Sequence, residues 1–255
     1  MPVPLRDLVG YLDATLAIDR FRDYAPNGLQ VEGAAEVACV VTGVSASAEL
    51  IGRAVERRAD LVVVHHGLIW GGGLTRIAGP LARRLALLLG NGVSLAAYHL
   101  PLDKHDALGN NAGLCDALGL GPAREPFGDV RGTLLGLAGT WSTPLAPADA
   151  VARIAAGVGR PPFAFLHGPA HVRKVGVCSG AASDLIEAAA AAGCDLYLTG
   201  ELAERAGELA RELGIHLVAA GHYATEVFGP RRLADALGAQ FPGLDVAFVD
   251  VASPL

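Results

Sequence analysis

Several features are missing from this chain, and each absence removes a class of function. No apolar segment approaches the ~20 residues that cross a bilayer as a helix. The opening MPVPLRDLVGYL has no basic region ahead of an apolar stretch, so neither a membrane span nor a secretory leader is expected. Lysine occurs only at Lys104 and Lys174, no Lys/Arg cluster stands out, and the formal net charge is -6. A mildly acidic chain has no basic face for a phosphate backbone, so nucleic acid is not indicated. The 4 cysteines, Cys39, Cys115, Cys178 and Cys194, form no CxxC pair. That argues against a thiolate zinc site and fits a reduced, cytoplasmic setting. No GxxxxGK[ST], no GxGxxG after a strand and no GxSxG elbow is present, which removes the familiar nucleotide loops and the serine-hydrolase elbow.

What is present reads as a globular α/β chain. Of 255 residues, 52% are hydrophobic and 18% charged, enough to bury a substantial core without covalent staples. Leu5 to Leu16 has helical spacing, Asp19 to Gln30 reads as an irregular connection, and Val37 to Val44 is β-branched. Leu61 to Val64 and Val93 to Tyr98 are short apolar runs of the kind buried on both faces of a sheet. Helices are expected over Ala46 to Arg57, Pro80 to Leu89 and from Asn110 or Asn111 to about Leu118. The same rhythm continues with strands at Leu134 to Thr140, near Phe163, and at Val175 to Cys178, Leu196 to Thr199, His216 to Ala219 and Val246 to Val251. Helices lie between them, at 147–156, 184–192, 204–213 and 226–237. This alternation predicts mixed sheets covered by helices. The turn-rich stretch Gly119 to Gly132 is the candidate boundary. It divides the chain into a first lobe of residues 1–126 with 219–255 and a second of 127–218.

Three strand ends deliver metal-ligand chemistry. Val62-Val63-Val64-His65-His66-Gly67 places two imidazoles directly after a buried strand, where ligands gather in open α/β sheets. Tyr98-His99-Leu100-Pro101-Leu102-Asp103 ends a second strand with a proline-stiffened exit carrying a carboxylate. Gly221-His222-Tyr223-Ala224-Thr225-Glu226 follows a third. If helical, it sets His222 and Glu226 on one face at i and i+4, a spacing that can grip one ion. Singly, each has an ordinary alternative: a hydrogen-bonded core histidine, a turn aspartate, a helix-start glutamate. Together they make a His/carboxylate set. His99 and His105 fit supporting or surface roles. The loop Asp23 to Gly33 is either a structured surface turn or part of the site's lining, and Cys178 to Ser183 reads as a plain strand-to-helix turn or, as the second alternative, an anion site at a helix N-terminus.

These segments carry a family resemblance. DYAPNGLQVEG at 23–33, VVVHHGLIW at 62–70, HLPLDKHDALGNNAGL at 99–114 and AAGHYATE at 219–226 together resemble the Nif3-like family, in its short bacterial form without an inserted domain. TGVSAS at 42–47 and LTGE at 198–201 fit as well. The resemblance implies a two-lobed α/β fold and a ring-shaped homohexamer. It also implies a dinuclear metal centre held by His65, His66, Asp103, His222 and Glu226. The chain departs from many relatives at Ser45-Ala46-Ser47, where an Asp-Ala-Thr turn is common. It departs again at Leu202-Ala203-Glu204-Arg205, where some relatives carry histidines.

Two functions follow as expectations. One is a metal-dependent hydrolase acting on a small molecule through a metal-bound water, with two divalent ions (Zn, Fe, Mn or Ni) per chain. The family also carries the label GTP cyclohydrolase type. The other is a non-catalytic metal-binding ring scaffold or metal-handling protein. No catalytic residue beyond the ligands is assigned.

Overall fold

A computed structural model describes residues 2–74 and 76–253. In chain order the first elements are β1 (Val3–Pro4), α1 (Leu5–Leu16), β2 (Gly28–Val31), β3 (Glu36–Val37) and β4 (Cys39–Ser45). Next come α2 (Ala48–Glu56), β5 (Leu61–His66), α3 (Gly79–Gly90), β6 (Ser94–Ala97), α4 (Leu100–Lys104) and α5 (Asn110–Ala117). Then follow β7 (Glu125–Val130), β8 (Thr133–Leu145), α6 (Pro147–Val158), β9 (Phe163–Leu166), β10 (Val172–Val177) and α7 (Ile186–Ala191). The chain closes with β11 (Leu196–Thr199), α8 (Ala206–Leu213), β12 (His216–Ala219), α9 (His222–Glu226), α10 (Phe228–Gln240) and β13 (Asp245–Phe248).

The contacts divide the chain into two compact units, one of residues up to Leu102 with Gly229–Val251, the other of Asp103–Phe228. The sequence pattern places these boundaries instead at 126/127 and 218/219. The structure differs because α5 packs on β8 and β10, and because α9 packs on α5, so both helices go with the second sheet.

The first unit holds a five-stranded sheet in the order β13-β4-β5-β6-β2. β13, β4, β5 and β6 run parallel, and β2 closes the edge antiparallel to β6. The apolar runs of β4, β5 and β6 are buried on both faces, as parallel strands under helices must be. α1 turns Leu5, Leu8, Leu12 and Leu16 inward, a single stripe at helical spacing. β2 begins inside the stretch expected to be irregular and runs one residue past it. Its ladder to β6 supplies the pairing that Pro, Asn and Gly in that stretch do not announce.

The second unit is built on a six-stranded sheet in the order β7-β8-β10-β11-β12-β9. β10, β11 and β12 are parallel, flanked by antiparallel partners. β7 falls within the turn-rich stretch. As an edge strand it tolerates Pro126 and a left-handed Gly128 (φ +71°). One aspartate per sheet clasps the start of the neighbouring strand. Asp60 Oδ2 accepts from the amides of Ala38 and Cys39, and Asp195 Oδ2 from those of Arg173 and Lys174. All four cysteines are buried thiols. No helix among the described residues is long and apolar enough to cross a membrane.

Candidate functional site

Each unit presents one group of metal-ligating side chains at the carboxyl ends of its parallel strands, where open α/β sheets place ligands. In the first unit β5 ends in His65 and His66, and β6 runs into His99. Candidate ligand atoms of these three imidazoles lie within 4.8 Å of one another, with ring centroids 4.5 to 5.7 Å apart. Each holds its Nδ1 in a hydrogen bond. His65 donates to the Tyr98 carbonyl at 3.0 Å, His66 lies 3.1 Å from Ser45 Oγ, and His99 donates to Asp23 Oδ1 at 2.7 Å. Such outer contacts fix ring orientation and tautomer, making Nε2 the nitrogen that would ligate a cation.

His99 is therefore a third imidazole of the cluster, although its sequence context singled out only its neighbours. The signal was its position at the exit of β6, beside Asp103. The 23–33 loop buttresses this cluster. Asp23 accepts from the Asn27 side chain and the Leu100 amide as well as from His99, and Asn27 Oδ1 accepts the His99 amide. Burial pushes the Asp23 carboxyl up, but His99 and these donors outweigh it and hold it at about 2. Gln30 Oε1 accepts the amides of Leu68 and Ile69 just after the paired histidines. Ser45, at the end of β4, is thus a hydrogen-bond partner of His66.

In the second unit three adjacent parallel strands end in glycine turns at Gly180, Gly200 and Gly221. The ladder continues into them: Gly200 N donates to the Gly180 carbonyl at 2.9 Å, and Gly221 N to that of Gly200 at 3.0 Å. Asp103, Glu226 and His222 assemble there. Asp103 and Glu226 are 4% and 2% exposed, and their candidate ligand oxygens lie within 4.8 Å of each other. Two carboxylates so close and so buried repel unless positive charge stands with them.

Part of that charge is His222. Its Nε2 is 3.1 Å from Glu226 Oε1, and its Nδ1 is 2.6 Å from Glu201 Oε1. Burial disfavours the imidazolium, but the two glutamates outweigh it and raise the His222 pKa to about 9. The i, i+4 geometry expected of His222 and Glu226 is realised on α9. Asp103 is aimed by two donors onto Oδ1, Asn110 Nδ2 and Ser179 Oγ, each at 2.9 Å. Ser179 is held in turn by Asn111 Oδ1, which accepts its amide. The Cys178–Ser183 turn is thus part of the site's framework, and Glu201, Ser179 and Asn110 are residues to which the sequence reading assigns no part in the site.

The donor set suits a divalent cation. Imidazole with carboxylate is the ligand chemistry of Zn, Mn, Fe and Ni. Close-set buried carboxylates are stabilised by a cation or a shared proton, and the proton on His222 Nε2 occupies a place that a metal ion can take. A Cβ on Gly180 would overlap Glu226 Oε1 and reach within 3.3 Å of His222 Nε2, so only glycine leaves room in front of these two ligands. His105 stays local, accepting the amides of Ala107 and Leu108 through Nδ1.

The chain is similar to known proteins over nearly its whole length. A protein of Pseudomonas aeruginosa named GTP cyclohydrolase 1 type 2 homolog is 44% identical over 257 residues, covering 100% of both chains. A Haemophilus influenzae protein of the same name is 38% identical over 97% of this chain and 98% of its own. Among solved structures, a structural-genomics protein of unknown function, ybgI, superposes with a TM-score of 0.92 at 39% identity, covering 99% of this chain and 100% of that one. Reduced HcgD from Methanocaldococcus jannaschii superposes with a TM-score of 0.86 over 98% of this chain and 99% of its own. Its identity of 23% makes that a likeness of fold alone. The Duf34/NIF3 (NGG1p interacting factor 3) family model matches residues 3–254, and the chain belongs to that family.

Proposed function

We propose that this protein is a metal-dependent hydrolase binding two divalent cations per chain through His65, His66, Asp103, His222 and Glu226. The observation that carries this reading is the buried Asp103–Glu226 pair, within 4.8 Å and accompanied by His222. A bound pair of cations would polarise a substrate oxygen and acidify a water. The chain's own residues hold and aim the donors. Tyr98 orients His65, Asn110 and Ser179 orient Asp103, and Glu201 orients His222.

Cys178, the buried thiol beside Asp103, does not compete as a nucleophile with this assignment. The Cys178 thiol is fully buried, and burial with Asp103 nearby pushes its pKa well above the usual thiol range, which leaves it inert. Four buried thiols are in keeping with a reducing cytoplasmic setting. The name carried by the bacterial relatives makes GTP the first substrate to test. The test is a hydrolase screen on protein of measured metal content. Hydrolysis that disappears with chelator and returns with a transition metal is expected. Hydrolysis that survives complete metal removal refutes the reading, and a metal-loaded protein without any activity makes it a scaffold.

A further inference from the structure

A cavity of about 530 Å³ opens within the second unit, lined by Arg160, Pro161, Pro162, Phe163, Gly200 and Glu201, with Ala219 and Gly221 among its walls. Its volume falls in the ~300–1,000 Å³ range of small-molecule sites. We propose that this cavity binds a small molecule carrying both a ring and an anionic group, phosphate or carboxylate. Arg160 takes the anion and Phe163 packs against the ring.

Arg160 is held in place from both sides along the chain. It follows the left-handed C-cap Gly159 (φ +76°) of α6 and precedes two prolines, whose fixed φ stiffens the backbone that carries it. Its guanidinium lies across Gly221, where an added Cβ would overlap Nη1. The cation is thereby set against the backbone immediately preceding His222. A guanidinium fork matches the paired oxygens of a phosphate or a carboxylate.

Phe163 opens the edge strand β9, directly opposite Ala219 on β12, the strand that leads to His222. Phe163 is 61% exposed, lines the cavity and meets Phe165 edge-on at 5.1 Å, so its ring is not consumed by core packing and can pack against a ligand's ring. Glu201 also lines the cavity. Its Oε1 is 2.6 Å from His222 Nδ1, and that contact ties the cavity to the candidate ligands. That the occupant is the substrate of the proposed hydrolase rests on the metal-hydrolase reading; the binding site itself stands on the cavity, Arg160 and Phe163.

The experiment is calorimetric titration of the full chain with phenyl phosphate, benzoate and inorganic phosphate, alongside metal analysis of every preparation. Phenyl phosphate or benzoate should bind saturably and more tightly than inorganic phosphate. The tighter of the two aromatic probes assigns the anion as phosphate or carboxylate. Arg160→Met should weaken that probe by about tenfold to a hundredfold, as loss of a charge-assisted hydrogen-bonded pair does. Phe163→Ala should weaken the aromatic probe by about twofold to tenfold and leave inorganic phosphate unchanged. If Arg160→Met fails to fold, Arg160→Lys keeps the charge without the fork and should still weaken binding. Metal content should stay at the wild-type level in all three variants. Wild-type protein that binds none of the probes at millimolar concentration overturns the proposal, as do variants that all bind like wild type. Probe binding that depends on Arg160 in a protein without metal supports this site and refutes the metal reading.

Discussion

Gly180 and Glu226 are packed so closely that a Cβ on Gly180 would overlap Glu226 Oε1. Gly180 also has a left-handed φ of +67°, so Gly180→Ala should strain the backbone and displace the carboxylate together. Gly132, with φ +90° and nothing within 4 Å of an added Cβ, isolates the two effects. Both alanine variants should lose roughly 1 kcal/mol or more of stability, read by thermal melting. Only Gly180→Ala should lose metal, and equal metal content in the two variants contradicts the site.

Protein purified without chelator should carry about two divalent ions per chain by elemental analysis. The five proposed ligands are more than one compact four-coordinate site uses. His65→Ala and Glu226→Gln should lower that content while circular dichroism stays near wild type. Retention of all metal in both variants would falsify the ligand assignment.

The raised pKa of His222, about 9, gives the metal-free protein a definite pH dependence. A histidine charged more readily in the folded than in the unfolded state stabilises below its ordinary value of 6.5. That stability fades as pH rises through about 9. Chelated protein should therefore melt at lower temperature at pH 9.5 than at pH 6, and Glu201→Gln should flatten the difference. Metal uptake should release protons, measurable as a buffer-dependent binding enthalpy.

Asp23 runs the other way. Its pKa of about 2, against an ordinary 3.8, means its contribution is present above pH ~4 and is lost as acid protonates it toward pH 2. Asp23→Asn should lower the melting temperature at pH 6. The gap to wild type should close on acidification to pH 2.5. A gap that widens in acid contradicts the Asp23–His99 pairing as its source.

We further predict a closed homo-oligomer, a hexamer by family resemblance, and a hydrolytic activity indifferent to Cys178→Ser. Light scattering that reports a monomer at micromolar concentration removes the first. Loss of activity in Cys178→Ser with metal content intact removes the second.

The donor motifs were legible because their geometry is local. His65 and His66 end an apolar run that could only be a buried strand, and β5 is that strand. His222 and Glu226 are four residues apart, and a single helical turn sets them side by side. The alternation of elements likewise announced sheets under helices, since the period of apolar residues is a property of neighbouring positions.

What the tertiary structure decided is everything that depends on strand order. Ser179 reaches Asp103 across 76 residues because α5, whose Asn110 and Asn111 hold the two, packs on β10, and Glu201 reaches His222 across 21 because β11 and β12 lie adjacent. No local periodicity encodes that adjacency. The same holds for β7, whose proline and glycine read as turn until β8 supplies its ladder. It holds equally for Asp23, a turn residue until the exit of β6 brings His99 to it. A side chain's chemistry is written at its own position. Its partners are set by which backbone hydrogen bonds the whole sheet can satisfy at once.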